Sequence, residues 1–278
     1  MKLFTKKTHH VGLALSSGGA RGLAHIGVIK ALQEKSIPVD MVSGTSMGAL
    51  VGACFAKDGN IDAIEKLARK VNLRFLSGFL DPSFRMLRRG VIQGGKIDKL
   101  LYSLLGDVQF KDLKIPLAIV TVDINTGREI VLRKGAVRDA VRASIAIPAI
   151  FTPLLSEGKC LVDGGLISPL PVNIIREMGA KFTIGVNVLA EPHKMQSHGI
   201  FRDTGADAPN IFEALLRSIY IMEYEIMKLN MQKADVVINP DVRAIRAFEF
   251  FKANEAIKAG YKAAGDSMPK LKRLAGKR

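Results

Sequence analysis

Gly44-Thr45-Ser46-Met47-Gly48 sets a serine between two glycines in the G-x-S-x-G spacing, the pattern of a nucleophile held on a sharp strand-to-helix turn. The chemistry open to such a serine is attack on a carbonyl carbon, followed by hydrolysis of the acyl intermediate. The flanks suit the turn: residues 39–43 are short and β-leaning, and residues 49–56 are apolar and rich in small side chains. A turn into a helix N-terminus also directs backbone N–H groups at developing negative charge. Gly44 and Gly48 stand where a Cβ would strike the neighbouring strand or helix. The same five residues would serve an ordinary glycine-rich turn, so catalysis needs further partners.

A serine hydroxyl is a poor nucleophile near neutral pH without a base. Asp163, followed by Gly164 and Gly165 just after an apolar run, can project from a strand end into a cleft. Alone, Asp-Gly-Gly reads more simply as a turn. His193 and His198 follow Asp163 in a polar stretch, so the chain order Ser…Asp…His of an ordinary hydrolase triad stays open. His25 falls on the apolar side of a helical pattern and reads as a hydrogen-bonded structural histidine. The glycine loop 16–22 raises nucleotide binding as a second function class, but Ser17 stands where G-x-G-x-x-G needs its first glycine. Asp40 begins its strand rather than ending one, and there is no G-x-x-x-x-G-K-[ST].

These residues need a scaffold, and the periodicity supplies one. Residues 11–15 read as a buried strand, 16–22 as a loop, and 23–35 as a helix with Leu23, Ile26, Ile29 and Leu32 on one face. Strand, loop, helix, strand begins a parallel α/β layout. Residues 115–124 and 129–133 read as strands around the turn at 125–127, residues 159–162 and 182–189 as strands, and 236–238 as a last one. Helices are expected at 137–143 and 171–178, with Gly179 as C-cap. A longer one carries Phe212, Leu215, Leu216, Ile219, Met222, Glu223 and Ile226 on one largely apolar stripe. Residues 61–105 read as mostly helical, broken near 81–82 and 94–95. Residues 144–155 are apolar but carry two prolines, and suit a pocket wall or a buried connection. Residues 249–274 read as helical, broken at Pro269.

The chain has 278 residues, is 48% hydrophobic and carries a net charge of +15. That charge points to an anionic partner, nucleic acid or membrane, and aromatics at only 6% argue against a base-stacking surface. Residues 73–89, with Phe79, Phe84 and Leu87 among arginines, read as either a helical cover or a membrane-touching cap. Cys54 and Cys160 form no C-x-x-C pair and read as buried free thiols of a reducing compartment. No run approaches the roughly 18 apolar residues of a spanning helix, so a cytoplasmic protein, soluble or peripherally attached, is expected.

Four segments occur together in order: Gly18-Gly19-Ala20-Arg21-Gly22, the Ser46 pentapeptide, Ala143-Ser144-Ile145-Ala146-Ile147-Pro148, and Asp163-Gly164-Gly165. The set resembles the patatin-like phospholipase family, in particular its small single-domain bacterial members. The resemblance implies a three-layer α/β/α fold with a central, mostly parallel sheet. It implies one domain over 1–278, with a motif core at about 11–189 and a C-terminal helical region at about 211–278. It also implies a serine–aspartate dyad cleaving acyl esters of lipids, without cofactor or metal: Ser46 the nucleophile, Asp163 the base, the backbone of Gly18, Gly19 and Ala20 the oxyanion hole, and Arg21 a brace for that loop. Gly22, Gly44, Gly48, Gly164 and Gly165 support these groups. Ser17 departs from the glycine that family members often carry at the head of the loop; its N–H stays on offer, while its Cβ narrows the entrance. A catalytically weak regulatory protein on the same fold is the other reading.

Overall fold

The computed structural model describes residues 10–70, 94–192 and 211–275. Its strands are β1 (Val11–Leu15), β2 (Met41–Thr45), β3 (Leu117–Asp123), β4 (Arg128–Leu132), β5 (Leu154–Ser156), β6 (Lys159–Asp163), β7 (Phe182–Val186) and β8 (Val236–Ile238). They form one sheet in the order β5-β6-β3-β2-β1-β7-β8, with β4 also paired to β3. The pairs β1–β2, β1–β7, β2–β3 and β7–β8 are parallel. The edge around β4, β5 and β6 is antiparallel. Every residue of β1, β2, β3 and β7 is buried, as parallel strands covered on both faces must be.

The helices are α1 (Ala24–Glu34), α2 (Met47–Asp58), α3 (Asp62–Lys70), α4 (Gly94–Leu105), α5 (Val137–Ser144), α6 (Val172–Glu177), α7 (Ile211–Met231) and α8 (Ala253–Ala275). Helices α1, α2 and α8 share the larger apolar core on one face of the sheet. Helices α6 and α7 close the other face around Val172, Ile175, Tyr220 and Met227. The layers are those of an α/β/α sandwich with a mostly parallel sheet. Helices α1 and α8 cross at backbone contact: a Cβ on Gly27 would overlap the Ile257 carbonyl, and one on Gly260 the Ala24 carbonyl.

Some expectations change. Pro269 does not break α8. A mid-helix proline costs about 3 kcal/mol, but Met268 and Leu271 beside it are buried against the core, so packing carries the helix through. Within 144–155 lies a short strand, β5, which pairs with β6; three residues are too few for periodicity to register. Gly94 and Gly95 are helical, in α4, and residues 71–93 before them lie outside the described residues. Cys54 is buried, whereas Cys160 is only partly so, because it pairs with the exposed Leu155 at the sheet edge. Residues 73–89 lie outside the described residues, as do His193 and His198.

Candidate active site

The C-terminal ends of β1 and β2 point the same way, and the chain turns sharply after each. Strand order reverses between β1, which leads on to β2 and β3, and β7, which leads on to β8. Crevices at such reversals are where open α/β sheets bind ligands. Ser46 follows β2 with φ 54 and ψ −120, a conformation costly for a residue with a side chain and found mainly at functional positions. Three hydroxyls fasten this turn. Ser144 Oγ accepts from the Ser46 amide at 2.9 Å and donates to the Val120 carbonyl at 2.7 Å. Thr45 Oγ1 donates to the Ser168 carbonyl at 2.7 Å, and Ser43 Oγ to that of Pro171 at 2.9 Å. Gly48 passes so close to the carbonyls of Leu15 and Ser16 that no Cβ fits there.

Asp163 ends β6, opposite Thr121 of β3. Ser46 Oγ donates to Asp163 Oδ2 at 2.5 Å, and the Gly165 amide donates to Oδ1 at 2.8 Å. Both residues are buried, Asp163 at 3% exposure and Ser46 at 4%. Burial drives the Asp163 carboxyl above its ordinary range, against the opposing pull of the Ser46 and Gly165 hydrogen bonds.

The glycine loop faces this pair. The amides of Gly18 and Gly19 donate to no partner among the described residues. Ala20 is different: its amide is already given to the Ala247 carbonyl at 2.8 Å, so it anchors the loop and has no free N–H to offer. The Ser17 amide is likewise engaged, with the Pro169 carbonyl at 2.8 Å, so Ser17 does not replace a lost donor. Ser17 is among the residues that line the cavity. Arg21 is fully buried; its Nε donates to the Ile245 carbonyl at 2.7 Å, and its guanidinium lies 5.1 Å from the centre of the Tyr220 ring. Tyr220 in turn donates to the Ala190 carbonyl at 2.6 Å. Residues 245–247 therefore strap the glycine loop in place, a contact from far along the chain that periodicity and motif spacing do not signal.

A cavity of about 80 Å³ lies over Ser46 and Asp163. Ile147, Leu189, Leu216, Ile219 and Phe248 supply its apolar wall, and Ser17, Arg21 and Glu223 its polar one. Of the proline-broken stretch 144–155, Ile147 reaches the cavity. Glu223 is a site residue missed as such. Its signal was present in the sequence: it is the lone acid in the apolar stripe of α7. That stripe divides, with Leu216, Ile219 and Glu223 turned to the cavity and Leu215 and Met222 about half exposed. His25 is fully buried with Nε2 2.9 Å from the Ser16 carbonyl, and burial lowers its pKa to about 4. The ring is neutral, and Nε2 donates to that carbonyl.

Comparison with known proteins fits this picture. The profile described as "Patatin-like phospholipase" matches residues 13–175. An uncharacterized NTE family protein of Mycobacterium tuberculosis is 39% identical over 178 residues, covering 64% of this chain and 49% of that protein. Neuropathy target esterase sws of Drosophila melanogaster is 36% identical over 183 residues, covering 64% of this chain and 13% of that protein. The chain thus spans about half or less of the length of these relatives. Among solved structures, VipD from Legionella pneumophila superposes with a TM-score of 0.53 at 14% identity, over 95% of this chain and 67% of that one.

Proposed function

The chain belongs to the patatin-like phospholipase family, and on that premise we propose that it is a serine acyl-ester hydrolase acting on lipids, with Ser46 as nucleophile and Asp163 as base. The observation that carries the reading is the direct 2.5 Å hydrogen bond from Ser46 Oγ to Asp163 Oδ2 inside a cavity. Ser46 Oγ bonds to the acyl carbon as its proton passes to Asp163 Oδ2. The carbonyl oxygen becomes an oxyanion beside the Gly18 and Gly19 amides. Such preorganised donors are worth about 3 kcal/mol each. Collapse expels the alcohol, which takes the proton from Asp163; water, deprotonated by Asp163, then attacks the acyl carbon, and the acid leaves as Asp163 returns that proton to Ser46 Oγ. An ordinary Asp is a weak base with a pKa of about 3.9, and burial raises this one toward working pH. Turnover should therefore fall as pH drops through the raised value of Asp163. The regulatory alternative is disfavoured by the strained Ser46 backbone and its aligned base. Labelling with a fluorophosphonate probe and mapping the modified residue tests the proposal: Ser46 is expected, and a folded protein left unlabelled overturns it.

The substrate reaches the cavity from the side of α7. Ile211, Leu215, Met222 and Leu229 recur along one face of that helix and are 90%, 49%, 56% and 60% exposed. No helix among the described residues is long and apolar enough to cross a membrane. An exposed apolar stripe beside the cavity of a chain with net charge +15 suits an anionic lipid surface, to which each nearby Lys or Arg adds about 1 kcal/mol. Changing Leu215 and Met222 together to Ser should cut hydrolysis of anionic vesicles at least tenfold more than hydrolysis of a soluble ester, with vesicle binding weakening as salt rises. Equal losses on both substrates, with a lower Tm, would assign these side chains to folding.

A further inference from the structure

Beside the Ser46–Asp163 pair lies a carboxyl for which the proposed mechanism has no use. Glu223 projects from α7 into the cavity. Its Oε1 sits over Gly165: a Cβ there would overlap Oε1 and lie 3.2 Å from Asp163 Oδ1. Gly165 is thus the spacer that lets two carboxyls approach. The bare backbone of Gly165 serves Asp163 with its N–H on one side and leaves room for Glu223 on the other. We infer that Glu223 is a positioning residue for the reaction: its carboxyl and that of Asp163 share one buried site, and the charge on Glu223 sets how strongly Asp163 draws the proton from Ser46.

The groups that act on this site come from four elements. Asp163, at the end of β6, opposes ionisation of Glu223, and Arg21, from the glycine loop, favours it. Tyr220, one turn back on α7, faces both Arg21 and Glu223, and Glu249, ahead of α8, acts on Arg21. Burial raises both carboxyls, Glu223 and Asp163 alike. They are not equivalent. The ionised form of Asp163 is supported by Ser46 Oγ–H and by the Gly165 amide. Glu223 has neither bond and faces the Asp163 charge. Of the two carboxyls, Glu223 therefore keeps its proton to the higher pH. When Glu223 ionises at higher pH, its charge presses back on Asp163 by the same free energy. That raises the proton affinity of the base, and the pressure is relieved when Asp163 accepts the Ser46 proton. No proton passes to Glu223 in the step.

The inference rests on the hydrolase reading and predicts a pH profile. With a soluble ester, kcat/KM of the unaltered protein should rise in two steps, the lower for Asp163 and the upper for Glu223, the upper step being roughly threefold to tenfold. Glu223→Gln keeps the shape of the side chain and should lose the upper step while keeping the lower; Glu223→Asp should restore an upper step. The pH dependence of the rate of fluorophosphonate labelling at Ser46 should follow the same pattern. A merely structural glutamate would change activity at all pH values alike. Superimposable profiles for the unaltered protein and Glu223→Gln, both active, overturn the role of Glu223 alone. Absence of both turnover and labelling overturns the hydrolase reading and this one with it. Should Glu223→Gln not fold, a single step in the unaltered protein is sufficient to overturn the inference.

Discussion

Asp163→Asn should lower kcat by about 10⁴-fold or more, and Ser46→Ala should do the same, because each removes a member of a unit that acts together. Asn keeps the size of the side chain and one carbonyl oxygen, which can accept from the Gly165 amide while its NH2 donates to Ser46 Oγ, but it cannot take a proton. The variant should fold at least as well as the parent. Burial raises the folded-state pKa of Asp163 above the unfolded value, so its ionised form costs stability above that value and Asn removes the cost. Loss of activity with an unchanged or higher Tm therefore separates a chemical role from a structural one. The histidines provide the contrast. His25→Ala, His193→Ala and His198→Ala should each stay within about tenfold of parent turnover, a barrier change of roughly 1.4 kcal/mol. A folded His193→Ala or His198→Ala protein that lost a thousandfold would replace the dyad with a triad and leave Ser46 as nucleophile.

Gly19→Ala should lower kcat by roughly 10²- to 10³-fold, the usual effect of losing an oxyanion donor. Gly19 has φ +57, and a Cβ there would overlap the carbonyl oxygen of Ala247, the acceptor that anchors Ala20. Relief of the overlap must move the loop or the strap, and either movement takes the Gly18 and Gly19 amides away from the oxyanion. Gly106→Ala isolates the backbone cost. Gly106 has a similar φ of +61 with no atom near its missing Cβ, so its variant should lose some stability and keep its turnover. The comparison is read as kcat on a soluble ester. Activity of Gly19→Ala within threefold of the parent would remove these amides from the mechanism.

What the sequence discloses here is what is local. The serine turn, the strand before it and the helix after it are contiguous, so five residues and their flanks define them. The sheet was legible through β1, β3 and β7, whose apolar runs have no other use in a chain of this size. The site's supports were not, because their partners are remote. Arg21 meets the Ile245 carbonyl across 224 positions, and Ser144 meets Ser46 across 98. A hydroxyl such as that of Ser144 looks the same in sequence whether it faces water or fastens the turn at Ser46. Ala20 shows the limit from the other side. A small residue in a glycine loop reads as a donor of its N–H, and only the approach of Ala247 reveals that the N–H is already engaged.

The strap at 245–247 also imposes an order in time. A ribosome makes the glycine loop, Ser46 and Asp163 well before it makes Ile245 and Ala247, which hold the loop through Arg21 and Ala20. During that interval the emerging chain carries the proposed nucleophile and base but not the clamp that holds the glycine loop. On the proposed mechanism it passes through synthesis inactive, and its chemistry awaits the docking of residues 245–247. Nascent chains stalled short of residue 245 should be inert toward esters that the finished protein cleaves.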